Sequence, residues 1–480
     1  MLKGMPVLTA MRKTLTGGLV ALATVSGGMA AQAETLAQAL TRAYETSGLI
    51  EQNRAVLRAA DEDVAQAVAA LRPVLSWSAD VQRQFGVRGT TSPLTGRLSE
   101  TGFVDNTASA ALVASITLYD GGANRLRIDL AKEAVLGTRA ELIAVEQQVL
   151  LRAVEAFMEV RRALELVALR ENNVRVIGQE LQAARDRFEV GEVTRTDVAL
   201  AEARLAAAQS ALSAAQGTLA IAVEEYRVAV GVLPENLQQP AGLPRLPASE
   251  ADAKAIAVRS HPEIAAAQRR VTIAEIGVAI AESARKPSVS LSGRYGLTET
   301  FGEDTYSRGG SITLGAEGPI YQGGRLNSLE RQALAERDQA RAALLLTVEQ
   351  VQQAVGNAYA RLRVARASID AFEAQVSAAT VAFRGVREEA TLGARTTLDV
   401  LDAEQELLLA RSDLLSAQVD ETVAAYAILS STGQLTAEAL ALPVPAFDPA
   451  AYYRLVKDAP SSLSPQGRAL DRLLRSMGKQ

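Results

Sequence analysis

Ala110-Ala111-Leu112-Val113-Ala114-Ser115-Ile116-Thr117-Leu118-Tyr119-Asp120-Gly121-Gly122-Ala123 changes character at its end. As far as Tyr119, the residues Ala110, Leu112, Ala114, Ile116 and Leu118 alternate with smaller or polar neighbours, the period of two of a strand with one apolar face. Beyond Gly121-Gly122 the pattern changes. Ala123 to Glu189 contains no proline, is rich in alanine and charge, and spaces its apolar residues by threes and fours, as in Leu142, Val145, Val149, Val154 and Phe157. A helix of that length reaches roughly 100 Å at 1.5 Å per residue. Taken alone, this second half reads equally as ordinary coiled coil.

The same junction occurs twice. Tyr119-Asp120-Gly121-Gly122 returns as Tyr321-Gln322-Gly323-Gly324, and Gly191 with Thr196-Asp197 returns as Gly393 with Leu398-Asp399, always 202 residues on. A repeat found at a fixed offset fixes the plan of the chain. Upstream, Arg72-Pro73 matches Lys286-Pro287 at an offset of 214, so the first copy carries extra residues, read as a loop around Gly86 to Thr107. The division that follows is a leader (1–33), a first repeat (34–232), a proline-rich link (233–249), a second repeat (250–435) and a C-terminal segment (436–480). Each repeat is read as helix, strand, strand, Gly-Gly turn, very long helix, turn, helix. In the first, the strands fall at about 73–83 and 108–119 and the long helices at about 123–189 and 196–231. In the second, they fall at about 287–297, 310–321, 325–390 and 396–432. The last segment, with Pro443, Pro445, Pro449, Pro460 and Pro465, suits an equatorial wrap or loose tail.

All four strands have one greasy face and one polar face. Leu75, Trp77, Ala79 and Val81 alternate with Ser76, Ser78, Asp80 and Gln82; Val289, Leu291 and Tyr295 alternate with Ser288, Ser290 and Arg294; Ile312 and Leu314 alternate with Ser311 and Thr313. A soluble hairpin on a core gives the same alternation. The chain, however, offers nothing to cover these apolar faces, and segments of about ten residues match a transmembrane barrel strand. Four strands cannot close a barrel, and an open edge in lipid leaves backbone groups unpaired. Three copies would supply twelve strands around a wet interior. Trp77, Tyr295 and Tyr306 are candidate aromatic anchors at the membrane interfaces.

Composition agrees with export and excludes several activities. Basic residues up to Lys13 precede an apolar run from Leu15 to Ala30 and a small-x-small site, Ala31-Gln32-Ala33, which reads as a signal peptide cleaved after Ala33. Translation starts at Met1 or at Met11. Later in the chain no run of about 18 apolar residues marks a spanning helix. The net charge is −5, and loss of Lys3, Arg12 and Lys13 makes it more acidic, which argues against nucleic acid as a partner. Cysteine is absent, which removes disulfides, thiolate chemistry and a lipid-modified N-terminal cysteine. His261, the single histidine, precedes Pro262 at a helix start without nucleophilic partners, and no phosphate-binding glycine loop is present. No cofactor, no metal site and no enzymatic activity are expected.

The paired Tyr-x-Gly-Gly turns and the string Gly393-Ala394-Arg395-Thr396-Thr397-Leu398-Asp399-Val400-Leu401-Asp402 resemble the TolC family of outer-membrane channels over about Glu34 to Gln434. The resemblance implies a mainly α fold with membrane β: a homotrimeric channel-tunnel whose twelve-stranded barrel in outer-membrane lipid continues into a periplasmic α-barrel. It also implies docking on an inner-membrane ABC transporter or efflux pump through a periplasmic adaptor (membrane fusion) protein. Arg395 matches the family's gate arginine, with Thr196 and Asp197 matching its partners. The family's gate tyrosine falls on Ala390, so closure is expected to lean on Arg395. Asp399 and Asp402 lie three apart just after a helix start, and six such carboxylates in a trimer would raise one another's pKa and attract cations at a constriction. An exposed helix start with helpful acids is the plainer reading of that pair. The turns Val190-Gly191-Glu192 and Leu392-Gly393-Ala394 match the tip that adaptors grip, although glycine there also simply ends a helix.

Three functions remain open to the sequence. The first is the exit duct of type I protein secretion, to which the Arg395 to Asp402 string leans. The second is the outlet of a multidrug (resistance-nodulation-division) efflux pump. The third, of another class, is a soluble periplasmic coiled-coil scaffold.

Overall fold

The computed structural model describes residues 34–476 except 241, 303, 304 and 463; the expected cleavage site at Ala33 lies outside the described residues. The first repeat runs α1 (Leu36–Thr46), α2 (Gly48–Ala69), β1 (Val74–Thr91), β2 (Leu98–Tyr119), α3 (Ala123–Glu189) and α4 (Arg195–Val230). The second runs α5 (Glu250–Ser260), α6 (Pro262–Ser283), β3 (Ser288–Thr300), β4 (Thr305–Glu317), α7 (Arg325–Thr391) and α8 (Thr397–Ser431). Two short helices follow, α9 (Ala451–Val456) and α10 (Pro465–Ser476).

The long helices α3 and α7 have 67 residues each and begin alike, at a glycine in the left-handed region: Gly122 at φ 93° and Gly324 at φ 85°. An L side chain is strained in that conformation, and the Gly-Gly pairs supply it. Asp120 adds a cap in the first copy, where its carboxylate accepts from the backbone N–H of Gly122 and Asn124. Helix α3 packs on α4, α6, α2 and α8, and α7 on α8, α6 and α5, so the two repeats interleave. The largest core sits around the middle of α3, where Leu40, Leu150, Phe157, Tyr226 and Leu435 are buried together.

The four strands form one antiparallel sheet in sequence order, with β1 and β4 as edges. Cross-strand rows keep like with like: Trp77 pairs with Leu112, and Leu112 with Tyr295; Ser115 pairs with Ser292, and Ser292 with Thr313. No helix packs along either face of this sheet among the described residues. Trp77 and Val81 are both 77% exposed and Ile312 84%, a greasy surface without cover.

Several boundaries differ from the sequence reading. The first hairpin is not looped from Gly86 to Thr107; its ladder runs unbroken from Val74–Ser115 to Thr91–Leu98. Glycines and threonines there hid the alternation, and Gly86 proves to be the flat seat beneath the Phe103 ring, 3.1 Å from where its Cβ would be. Strand β3 likewise continues to Thr300. Strand β4 starts earlier and ends at Glu317 instead of Tyr321, because Pro319 has no N–H for the ladder. The C-terminal segment is a fastened wrap, not a loose one. Val456 is fully buried, the Ala437 N–H donates to Glu146 at 2.6 Å, and the Tyr452 hydroxyl donates to Glu62 on α2 at 2.6 Å.

Candidate functional site

At the end of the molecule remote from the sheet, two turns stand side by side. Each long helix closes on a left-handed glycine, Gly191 at φ 79° and Gly393 at φ 78°. The N–H of Glu192 donates to the Arg187 carbonyl and that of Ala394 to the Glu389 carbonyl, both at 2.9 Å, the six-to-one bond of a glycine-terminated helix. Val190 and Leu392, just before the glycines, are thrust into solvent, Leu392 at 85% exposure.

The next helices, α4 and α8, start with identical capping boxes. Thr194 and Thr396 accept from the N–H of Asp197 and Asp399, whose carboxylates accept back from the threonine N–H at 2.9 Å. Thr194 is therefore the capping threonine of the first repeat, and Thr196 lies exposed on the first turn of α4. The signal was in the sequence, since Thr194 is Thr396 shifted by the repeat and stands three before an acid.

Within a protomer these bonds set the electrostatics of Asp197 and Asp399. Backbone and hydroxyl donation from Thr396, with a smaller contribution from Arg395, holds the Asp399 carboxyl below the usual carboxylate range. Thr194 does the same to Asp197. Asp402 takes a separate partner: its Oδ1 accepts from Arg204 Nη2 on α4 at 2.7 Å. Asp399 thus holds a helix start while Asp402 reaches across to the other repeat.

Arg395 does not reach Thr196 or Asp197 inside one chain. Its Nε donates to Glu389 at 2.9 Å, and this bond, with Asp399 beyond it, pushes the guanidinium pKa up. It shares a cleft, however, with the first repeat: Glu192, Thr194 and Asp197 line one side, and Gly393, Ala394, Arg395 and Asp399 the other. Ala390 is buried behind the same cleft, so no hydroxyl enters from the position where the family has tyrosine.

One group went unread in the sequence. Glu404 is buried on α8, with Asn173 Nδ2 of α3 at 3.5 Å, and burial raises its pKa against the lowering by Asn173, Arg411 and Arg387. Its place among Leu401, Leu407 and Leu408 on the buried side of α8 was the available sign. His261 caps α6, its Nδ1 accepting from the Glu263 N–H at 3.3 Å. Among the described residues no cluster of acids and histidines could hold a metal, and no helix is long and apolar enough to cross a membrane.

Several known proteins are similar to this chain. The sequence profile described as outer membrane efflux protein matches residues 30–232 and 256–434. The outer membrane efflux protein BepC of Brucella suis is 35% identical over 96% of this chain and 99% of its own length. The alkaline protease secretion protein AprF of Pseudomonas aeruginosa is 26% identical over 57% of this chain and 59% of its own. Among solved structures, the CmeC outer membrane channel of Campylobacter jejuni shares the fold with a TM-score of 0.72 at 16% identity, over 89% of this chain and 90% of that one.

Proposed function

This chain belongs to the outer membrane efflux protein family, and we propose that it forms the outer-membrane exit duct of a tripartite exporter as a homotrimer. Family members are channels and not enzymes, and they sit in the outer membrane with a helical tunnel in the periplasm. The observation that carries the reading is the four-stranded sheet with two free edges and an uncovered apolar face. Pairing β4 of one protomer with β1 of the next satisfies both edges, and three copies close a twelve-stranded barrel with Ser, Thr, Asp and Arg inside. The long helices then prolong the pore into the periplasm.

In this assembly the cleft residues Asp197, Arg395 and Asp399, together with Thr196 and Asp402, form the periplasmic gate. Val190, Gly191, Glu192, Leu392, Gly393 and Ala394 form the tip on which a periplasmic adaptor docks. Asp399 and Asp402 from three protomers, six aspartates ringed around a constriction, would attract cations. The duct is passive, and the inner-membrane partner supplies the energy.

For the cargo we read type I protein secretion, with an ABC transporter and a membrane fusion protein. The Arg395 to Asp402 string and the likeness to a protease secretion protein support it. The second reading, the outlet of a multidrug efflux pump, is supported by a likeness to an efflux protein that runs over 96% of the chain. A deletion strain separates them. Loss of proteins from the culture medium with unchanged drug tolerance supports secretion, and the reverse supports efflux. Purified chain that stays monomeric in water and passes no stepwise current in planar bilayers would overturn the duct itself and restore the soluble scaffold.

A further inference from the structure

Between the tip and the main core, α8 buries an acid. Glu404 is 6% exposed and Asn173, opposite it on α3, 2%, so both polar groups are shut off from water. They stand 231 positions apart, one in each repeat. Asn173 Nδ2 donates to Glu404 Oε1 at 3.5 Å, a long contact for a bond to a charged acceptor. Leu401, one turn before Glu404, packs with Ile177 and Leu181 of α3 and with Ala201 and Ala208 of α4. The pair therefore lies in the apolar seam that seats α8 on the first repeat. Asp402, two residues before Glu404, is exposed and held separately by Arg204.

The two side chains fit one another best in one protonation state. A protonated carboxyl has an O–H donor and a carbonyl acceptor, and a carboxamide has N–H donors and a carbonyl acceptor, so each gives the other one bond and takes one back. A carboxylate only accepts, which leaves the Asn173 carbonyl without a donor from it and an ionised oxygen in a dry seam. The surrounding charges do not undo this. Arg387 on α7 is engaged by Glu180 of α3, its Nε 3.3 Å from Oε1, and from α4 Arg204 is taken up by Asp402. Arg411 lies two turns further along α8. Desolvation is the largest influence on the Glu404 carboxyl and pushes its pKa up, against the opposing effects of Asn173, Arg411 and Arg387 and with a further rise from Glu180.

We propose that Glu404 and Asn173 form a proton-sensitive latch between the two repeats: with Glu404 protonated, α8 stays seated on α3 and the periplasmic end is closed, and loss of that proton weakens the seam and favours opening. The latch rests on the reading of this end of the molecule as the gate of a duct. Its sign follows from hydration. When α8 parts from α3, water reaches Glu404 and the carboxyl titrates in its ordinary range, whereas in the closed seam it keeps its proton to higher pH. The closed form binds the proton more tightly, so acid favours closure and rising pH favours opening.

Single-channel conductance of the full chain reconstituted in planar bilayers tests the latch. Wild type is expected to conduct at least about twofold more at about pH 8 than at about pH 5. Glu404→Gln keeps a donor and an acceptor opposite Asn173 and cannot ionise, so it is expected to lose most of that rise. Asn173→Asp puts a second acid into the seam and is expected to conduct more than wild type at about pH 8. Asp399 and Asp402 are intact in all three proteins, so whatever their own titration contributes is common to them. Glu404→Gln channels that follow wild type at both pH values overturn the latch, as does a wild type whose conductance is the same at both. Conducting wild-type channels with either result reject the latch alone, and a wild-type chain that passes no stepwise current rejects the duct along with it.

Discussion

Arg204 Nη2 on α4 lies 2.7 Å from Asp402 Oδ1 on α8, a direct tie between the first and second repeats just above the tip. Both side chains are about half exposed, so the pair adds little to overall stability, on the order of 0.5 kcal/mol. Its consequence is positional, because α8 cannot swing from α4 while it holds. In the proposed gate, where Ala390 takes the position of the family's tyrosine, this bond would be the tie that holds the two repeats together. Arg204→Gln and Asp402→Asn are each expected to raise single-channel conductance about twofold or more, with the double variant no higher than either, since both cut one tie. Arg395→Ala tests the adjoining turn in the same assay: no rise over wild type removes Arg395 from the gate.

The Gly-Gly turns look equivalent in sequence and are not equivalent in packing. A Cβ on Gly121 would lie 2.8 Å from Lys286 Cβ and 2.9 Å from the Ser283 carbonyl, whereas a Cβ on Gly323 meets nothing within 4 Å. Both have positive φ, 72° and 58°. Gly323→Ala is expected to cost about 1 kcal/mol for the backbone alone. Gly121→Ala is expected to cost at least about twice that, because the α6–β3 junction must also shift. Thermal unfolding of the two variants side by side measures the difference, and equal losses would mean the junction yields freely.

Much of this was legible because repeats and periods are robust signals. The Tyr-x-Gly-Gly turns, the alternation around Trp77 and Leu112, and the proline-free helices fix the plan without coordinates. What escaped depends on contacts across long sequence distances. Gly86 reads as a loop residue until Phe103 is seen lying over it. The Arg204–Asp402 bond joins residues 198 positions apart, and nothing local marks Arg204. Tyr452 and Arg72 fasten a proline-rich segment that composition alone describes as loose. The capping role of Thr194 was readable through the repeat, because Thr396 stands 202 residues on and three before an acid.

The two faces of the sheet give contrasting predictions on adjacent strands. Leu112 lies between Trp77 and Tyr295 on the apolar face, and Ser292 between Ser115 and Thr313 on the polar one. Arginine facing lipid near the bilayer middle costs about 2–4 kcal/mol, while a wet lumen tolerates it. Leu112→Arg is expected to abolish most heat-resistant oligomer in the outer membrane, and Ser292→Arg to leave it near wild type. Reversed outcomes would turn the sheet inside out.

Asp61 is a buried acid without a hydrogen-bond partner. It is fully buried on α2, and neither of its carboxylate oxygens has a hydrogen-bond partner. Desolvation pushes its pKa up to about 6 from 3.8; Arg139 on α3 offsets part of that rise and Glu62 adds to it. From α9, Tyr453 faces the same Arg139, with its ring centroid 5.5 Å from the guanidinium carbon, and Tyr452 binds Glu62. The sign follows from which state holds the proton. Between pH 3.8 and about 6 the folded chain is protonated at Asp61 and the unfolded chain is not, so stability falls as pH rises through that window. Above it, the folded chain carries the whole penalty of a desolvated carboxylate. Asp61→Asn keeps the shape and removes the charge, so it is expected to stabilise by roughly 1–3 kcal/mol at about pH 7.5 and by almost nothing at about pH 4. Melting temperatures of both proteins at the two pH values decide it. An equal gain at both would not come from the charge, and no gain at either, or a loss at about pH 7.5, would mean that the carboxylate is ionised and satisfied in the assembled trimer, with a neighbouring protomer supplying the missing donors.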